Sequence, residues 1–256
     1  MNEDNAVEHE SERDARWVVV TGASGGIGSA ICRRAVGDGF HVLALGRDLA
    51  VLSALSAEHE GRIVPLDVDL RDRHVGEIVE GFFADSVDTA TVFGFVHAAG
   101  ISVGSALESM TDDAWEHSMD VNVTSAMRVL RSILPRLKEA SNAAVVLVSS
   151  PVALIGARKV SYSASKAALL GLNAALASQL GVYGIRVNAL LPGPTITGMT
   201  EDWDEAKRAD IAAQGPLGRL CRPEESAAVV SFLLGPDSSA LTGTIIDATG
   251  GRHIGL

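Results

Sequence analysis

A short β-branched run, Trp17 to Val20, breaks into Thr-Gly-Ala-Ser-Gly-Gly-Ile-Gly over residues 21–28 and then into the helical pattern SAICRRAVGDG, which stops at Gly37 and Gly39. A strand, a glycine turn and a helix thus follow one another directly. Glycines let main-chain amides approach a pyrophosphate at a helix amino terminus, where the partial positive charge favours anions. The spacing here is Gly22, Gly26, Gly28 rather than G-x-G-x-x-G. A glycine turn alone is a weak signal, but strand, turn and helix together favour dinucleotide binding over a plain loop.

The same alternation continues along the chain. Residues His41–Leu45, Arg62–Leu66, Thr91–Val96, Val145–Val148, Ile185–Leu190 and Gly243–Asp247 read as further strands. Helical patterns separate them, and this alternation predicts an α/β fold with a parallel sheet. Asp69 is the expected N-cap of a helix over 72–84. Thr111 caps a longer helix with Asp112 and Asp113 in its first turn and Trp115, Met119, Val123, Met127, Leu130 and Leu134 along one face. A helix from Tyr162 is apolar almost all round, which predicts that a second subunit covers its outer face. The last helix runs from 226 to 234, introduced by Arg222-Pro223-Glu224-Glu225.

The 256 residues, 26.6 kDa, suit one large α/β domain, and 47% hydrophobic against 21% charged residues excludes a disordered chain. The net charge of -11 argues against nucleic acid or an anionic membrane as the main partner. Residues 1–16 hold six acidic and two basic side chains and read as a disordered acidic leader to the domain over 17–256. No apolar stretch approaches the roughly 18 residues of a membrane span. Cys32 and Cys221 lack metal-ligand spacing, so no metal site is expected and both thiols read as reduced, in a cytoplasmic protein.

The strand Val145–Val148 delivers Ser149 and Ser150 to its carboxyl end, where open α/β sheets place their ligands. Tyr162 follows, with Lys166 four residues on, one helical turn away. A phenol with a pKa of roughly 10 is a poor acid or base near neutrality, and a nearby cation lowers it. By itself Tyr-x-x-x-Lys is a pattern any helix produces. The second strand ends in Gly46-Arg47, where an acidic residue would repel a 2'-phosphate and an arginine accommodates one, so NADP is expected over NAD. Asp67 could accept from an adenine amino group. Asn122, mid-helix, could kink the helix and hold a water on a proton path from Lys166. The turn Pro192-Gly193-Pro194-Thr195-Ile196-Thr197 could bring main-chain groups to a carboxamide, and residues 196–218 form an expected lid, with Met199 and Trp203 as substrate contacts. His97 reads as a structural or cofactor-flanking imidazole.

Taken together, TGASGGIG, Asp67-Val68, Ala98-Ala99-Gly100, Asn122, the Ser149-Ser150 strand end, Tyr162-Ser163-Ala164-Ser165-Lys166, PGPTIT from Pro192 and LTGTIIDATGG near the end resemble the short-chain dehydrogenase/reductase family, in family order from Trp17 to Gly251. The resemblance implies a Rossmann-like doubly wound parallel sheet of order 3-2-1-4-5-6-7 with helices on both faces, and a homotetramer or homodimer. It makes Tyr162 the proton donor or acceptor and Ser150 the holder of the substrate oxygen. Lys166 binds the nicotinamide ribose and lowers the tyrosine pKa, and Asn122 supports a water relay. Gly22, Ser24, Gly25, Gly26, Ile27 and Gly28 line the pyrophosphate, Asp67 and Val68 the adenine, and Ala99, Gly100, Pro192, Gly193, Thr195 and Thr197 the rest of the cofactor, with Arg47 on the 2'-phosphate. Val152 and Leu154 join Met199 and Trp203 around the substrate. The family's thirteen-residue spacing to the tyrosine points to Ser149, while the second serine of the pair is the customary one; Ser150 is preferred.

Two departures stand out. His97-Ala98 replaces the family's frequent Asn-Asn, and Gly25 stands where many NADP-using members carry a basic residue. The implied activity is hydride transfer between NADP(H) and a ketone or secondary alcohol. The alternatives are reduction of a 3-oxoacyl group on acyl carrier protein and, from a different class, a cofactor-binding regulator without chemistry. Reductases of the carrier-bound substrate often have an arginine where this chain has Tyr183, before Gly184-Ile185.

Overall fold

A computed structural model describes residues 15–87 and 90–252. Seven parallel strands form one sheet, β1 (Arg16–Thr21), β2 (His41–Gly46), β3 (Ile63–Asp67), β4 (Thr91–His97), β5 (Ala144–Val148), β6 (Arg186–Pro192) and β7 (Ile245–Ala248), in the order 3-2-1-4-5-6-7. The helices are α1 (Gly26–Gly37), α2 (Leu49–Glu58), α3 (Val75–Ser86), α4 (Asp112–Met119), α5 (Ser125–Glu139), α6 (Val152–Ile155), α7 (Val160–Leu180), α8 (Glu205–Ala213) and α9 (Pro223–Leu234).

The central strands are buried on both faces and send alternate side chains into two cores. Trp17, Val19, Leu43, Leu45, Val145 and Leu147 face α3, α5 and α7, whereas Val18, Val20, Val42, Ala44, Val146 and Val148 face α1, α2 and α9. The strand order reverses between β1 and β4, so the crevice at a parallel sheet's switch point opens beside the glycine turn. Gly22 sits there at φ +69, and a Cβ on it would lie 2.6 Å from the Ala99 Cα, so this close approach of turn and strand end requires glycine.

Several local expectations shift. Of the expected leader, residues 1–14 lie outside the described residues, while Ala15 packs on the core and Arg16 opens β1. Asp69 does not cap a helix: its carboxylate is held by Arg71 at 2.6 Å, and α3 begins only at Val75, because Asp72 accepts the His74 N–H at 2.8 Å and turns the chain there first. Thr111 does cap α4, accepting the Ala114 N–H at 3.2 Å. The long helix it opens carries a π turn over Asp120–Thr124, and the extra residue rotates everything after it. The buried face therefore becomes Ala126, Val129, Leu130, Ile133 and Leu137, leaving Met127, expected on that face, exposed; Trp115, which precedes the π turn, is exposed as well. Helix α7 starts two residues before Tyr162 and presents Gly171, Ala174, Ala175 and Ser178 outward. Among the described residues no helix is long and apolar enough to cross a membrane, and no group of three His, Cys, Asp or Glu is arranged to hold a metal.

Candidate functional site

The carboxyl ends of β4 and β5, the π turn and the first turns of α7 converge at one place. Strand β5 ends in two serines that point different ways. Ser149 is buried and donates to the main-chain oxygen of Lys166 at 2.7 Å, riveting α7 to the sheet. Ser150 is half-buried, and its hydroxyl lies beside the Tyr162 phenol and favours the ionised phenol. Both serines lie just past Val148, the last residue of β5, so the turn of the chain there, rather than strand alternation, sets their directions.

The start of α7 is tied down by its neighbours. Val160 N–H donates to Ser105 O at 3.2 Å, the Ser161 hydroxyl to Val103 O at 3.2 Å, and Lys159 Nζ to Ser102 O at 2.6 Å. Tyr162 thus stands on a helix whose first turn is fixed to the loop after β4. Burial pushes its phenol above the ordinary tyrosine range, and the neighbouring Ser150 hydroxyl works against that.

Lys166 departs from the sequence expectation. Its side chain is buried, and Nζ donates to Val148 O at 2.9 Å, with no effect of its charge resolved on Tyr162. Desolvation brings the ammonium's own pKa down to about 8. The depression of the tyrosine that Tyr-x-x-x-Lys suggests is therefore not set by these two side chains alone, since a carbonyl has taken the cation's nearest hydrogen bond. Gly100 makes room for that ammonium: a Cβ there would lie 2.9 Å from Nζ.

Asn122 occupies the π turn and is fully buried. Its amide donates to Ile101 O at 3.0 Å and to Ser165 Oγ at 2.9 Å, while Oδ1 accepts the Ile101 N–H at 2.8 Å. The kink expected of it is present as the π turn, and both amide hydrogens are committed to protein partners.

On the other side of the crevice, α1 begins at Gly26 behind an N-cap, Gly25, with no side-chain cap and no acidic residue in the first turn. The first amides of α1 are thus left for an anion, which fits a dinucleotide pyrophosphate. Ser24 stands beside Gly46, where a Cβ would lie 2.9 Å from its Oγ, and Ile27 and Gly28 continue the turn. Thr197 leans over the turn, its Cγ2 only 2.7 Å from where a Cβ on Gly26 would be. Thr195 is buried and donates to Gly193 O at 2.7 Å, next to Pro192 at the end of β6. Gly193 touches Thr249 and Cys221, so no side chain fits there. Asp67 is exposed at the end of β3, Val68 is buried with its N–H on Gly46 O at 3.1 Å, and Arg47 is exposed just beyond β2. Of the substrate candidates, Val152 is half-buried, Leu154 and Met199 are exposed, and Trp203 carries Lys207 Nζ 4.9 Å from its ring centre. The sequence reading missed Thr21 and Ser165, two buried hydroxyls; the signal available was a threonine ending a strand and a serine three residues after the tyrosine.

The short chain dehydrogenase family profile matches residues 16–208. The chain belongs to the short-chain dehydrogenase family. A 3-oxoacyl-acyl-carrier-protein reductase of Thermotoga maritima is 33% identical over 248 residues, covering 94% of this chain and 99% of the relative. The enzyme of the same name from Pseudomonas aeruginosa is 34% identical, covering 92% and 96%. An acetoacetyl-CoA reductase of Acinetobacter is 31% identical, covering 94% and 99%. In structure, a 3-ketoacyl-acyl-carrier-protein reductase of Brucella melitensis complexed with NADH superposes with a TM-score of 0.85 at 25% identity, covering 94% and 99% of the two chains. This short-chain dehydrogenase is accordingly an oxidoreductase acting on a carbonyl or CH–OH group with a nicotinamide cofactor.

Proposed function

We propose that the chain is an NADP(H)-preferring reductase of a ketone, or dehydrogenase of the matching secondary alcohol, in which Tyr162 transfers the proton. The observation that carries this is the Ser150–Tyr162 hydroxyl pair beside the crevice, one helical turn from the buried Lys166. A bound nicotinamide supplies the hydride and, when oxidised, a positive charge. Ser150 holds the substrate oxygen against the phenol and stabilises it as charge develops. Tyr162 gives that oxygen its proton in reduction and removes it in oxidation. Lys166 would bind the nicotinamide ribose, and its charge would favour the phenolate. Asn122 supports a water relay behind Lys166, with its main-chain oxygen as the group that offers a further lone pair.

The free amides of α1, with Gly22, Ser24, Gly25, Gly26, Ile27 and Gly28, would hold the pyrophosphate; Asp67 and Val68 the adenine; and Ala99, Gly100, Pro192, Gly193, Thr195 and Thr197 the nicotinamide half. Arg47, exposed where an acid is absent, supports the preference for a 2'-phosphate. Val152, Leu154, Met199 and Trp203 would line the substrate under a lid over 196–218. The small-residue outer face of α7 supports a homotetramer or homodimer, and two free cysteines suit the cytoplasm.

A second reading, reduction of a 3-oxoacyl thioester, is favoured by the names of the relatives. Against carrier docking stands exposed Tyr183, in the place where the resemblance implies an arginine. Absorbance of the reduced nicotinamide, followed with NADPH and NADH over free ketones, coenzyme A thioesters and carrier-bound thioesters, tests both readings. Faster turnover with NADPH on a free ketone is expected. Turnover confined to the carrier-bound substrate would establish the second reading, and cofactor binding with no turnover on any member would leave a non-catalytic regulator.

A further inference from the structure

One buried titratable group at the site has no part in the chemistry above. His97 ends β4 with its ring fully buried, Nδ1 2.8 Å from Thr21 Oγ1 and Nε2 3.1 Å from the main-chain oxygen of Asn122. A carbonyl oxygen only accepts, so Nε2 carries the proton. Burial and the nearby Lys166 charge bring the imidazolium pKa down to about 3, so the ring is neutral and Nδ1 accepts from the Thr21 hydroxyl. Thr21 Oγ1 in turn accepts the Ala99 N–H at 3.4 Å. Beyond the ring, Asn122 donates to Ser165 Oγ at 2.9 Å, and Ser165 donates to the Tyr162 main-chain oxygen at 2.9 Å. Every donor in this series meets an acceptor. It joins the strand that feeds the glycine turn to the helix that carries Tyr162 and Lys166.

We propose that His97 is a positioning residue for proton transfer: its Nε2–H tautomer clasps the Asn122 turn to β1 and so fixes the placement of Tyr162 and Lys166. The inference rests on the reading of Tyr162 as proton donor. A π turn interrupts the regular carbonyl ladder of a helix, and His97 supplies a donor to it from a different element. Glutamine at 97 places its amide nitrogen near the Nε2 position and keeps that donor. Asparagine ends near Nδ1, which leaves Asn122 O without it.

Steady-state kinetics and nitrogen-15 imidazole spectra of the full chain test this. His97→Asn is expected to lower kcat about tenfold with the cofactor KM within about twofold, and to raise the kinetic pKa of kcat by about one unit, the same tenfold expressed as a proton affinity. His97→Gln is expected to restore most of kcat. Thr21→Val, which removes the hydroxyl that holds Nδ1 on the other side of the ring, should move kcat and its pKa in the same direction by about threefold and half a unit. Among the seven histidines, one is expected to stay a neutral Nε2–H tautomer from about pH 5 to 8 and to vanish from the spectrum of His97→Gln. A merely structural His97 would lower the melting temperature in the Asn and Gln variants alike and leave the pH profile unmoved, and that result overturns the proposal. So does a His97 signal that titrates in this range. An unmoved profile alongside an inert Tyr162→Phe overturns the clasp alone, whereas turnover surviving in Tyr162→Phe removes the proton-donor reading beneath it.

Discussion

Replacing Lys166 by methionine should destroy activity and stabilise the fold near neutrality. Lys166 is 4% exposed, and desolvation alone takes its pKa from 10.5 to about 8. Each unit corresponds to about 1.4 kcal/mol, so holding the charge at pH 7 costs the native state about 3 kcal/mol. Methionine fills a similar volume without charge, and the Val148 carbonyl it leaves unpaired returns about 1–2 kcal/mol of that gain. A net stabilisation of about 1–2 kcal/mol is expected for Lys166→Met in urea unfolding at pH 7. The native pKa lies below the unfolded one, so the unfolded state binds the extra proton between the two values. The wild type therefore gains stability as pH rises through about 8 towards 10.5, by about 2 kcal/mol relative to the variant between pH 7 and 9.5. A Lys166→Met protein less stable than the wild type at pH 7, with a gap that does not change up to pH 9.5, would refute the claim that the site holds a desolvated cation at a cost to the fold.

Three further outcomes follow from the same geometry. Ser150→Ala should lower kcat about a hundredfold with little change in stability, while Ser149→Ala should cost about 1 kcal/mol in urea unfolding through its lost bond to Lys166 O and keep most of its turnover. Arg47→Ala should raise the KM for NADPH about tenfold and leave that for NADH unchanged, as read from initial rates with each cofactor. Burial of His97 should make the protein acid-sensitive: its pKa is about 3 folded against 6.5 ordinarily, so stability is full above about 6.5 and lost progressively towards 3. His97→Gln should flatten that part of a melting-temperature profile.

Much of the fold was legible because its signals are local. Seven β-branched runs separated by helical patterns gave every strand, with ends shifted by a residue or two, and glycine at 22, 26 and 28 marked the turn where main chains meet. The π turn was harder to read. Asn122 advertised a local disturbance, but the rotation it imposes on Ala126 to Leu137 comes from one inserted residue and leaves no change in the hydrophobic spacing before it. The choice between Ser149 and Ser150 depends on how the chain turns after β5, which a spacing argument does not see. The Lys166 bond to Val148 O and the series of hydrogen bonds through His97 were illegible for a different reason: their partners lie 18 and 76 residues away in the chain.

The most direct test of the account is Tyr162→Phe, assayed for NADPH binding by fluorescence and for carbonyl reduction by absorbance. Phenylalanine keeps the ring and loses only the hydroxyl, so unchanged NADPH affinity with turnover reduced at least a thousandfold is the predicted result. Turnover within about tenfold of the wild type would contradict it and require another group to deliver the proton.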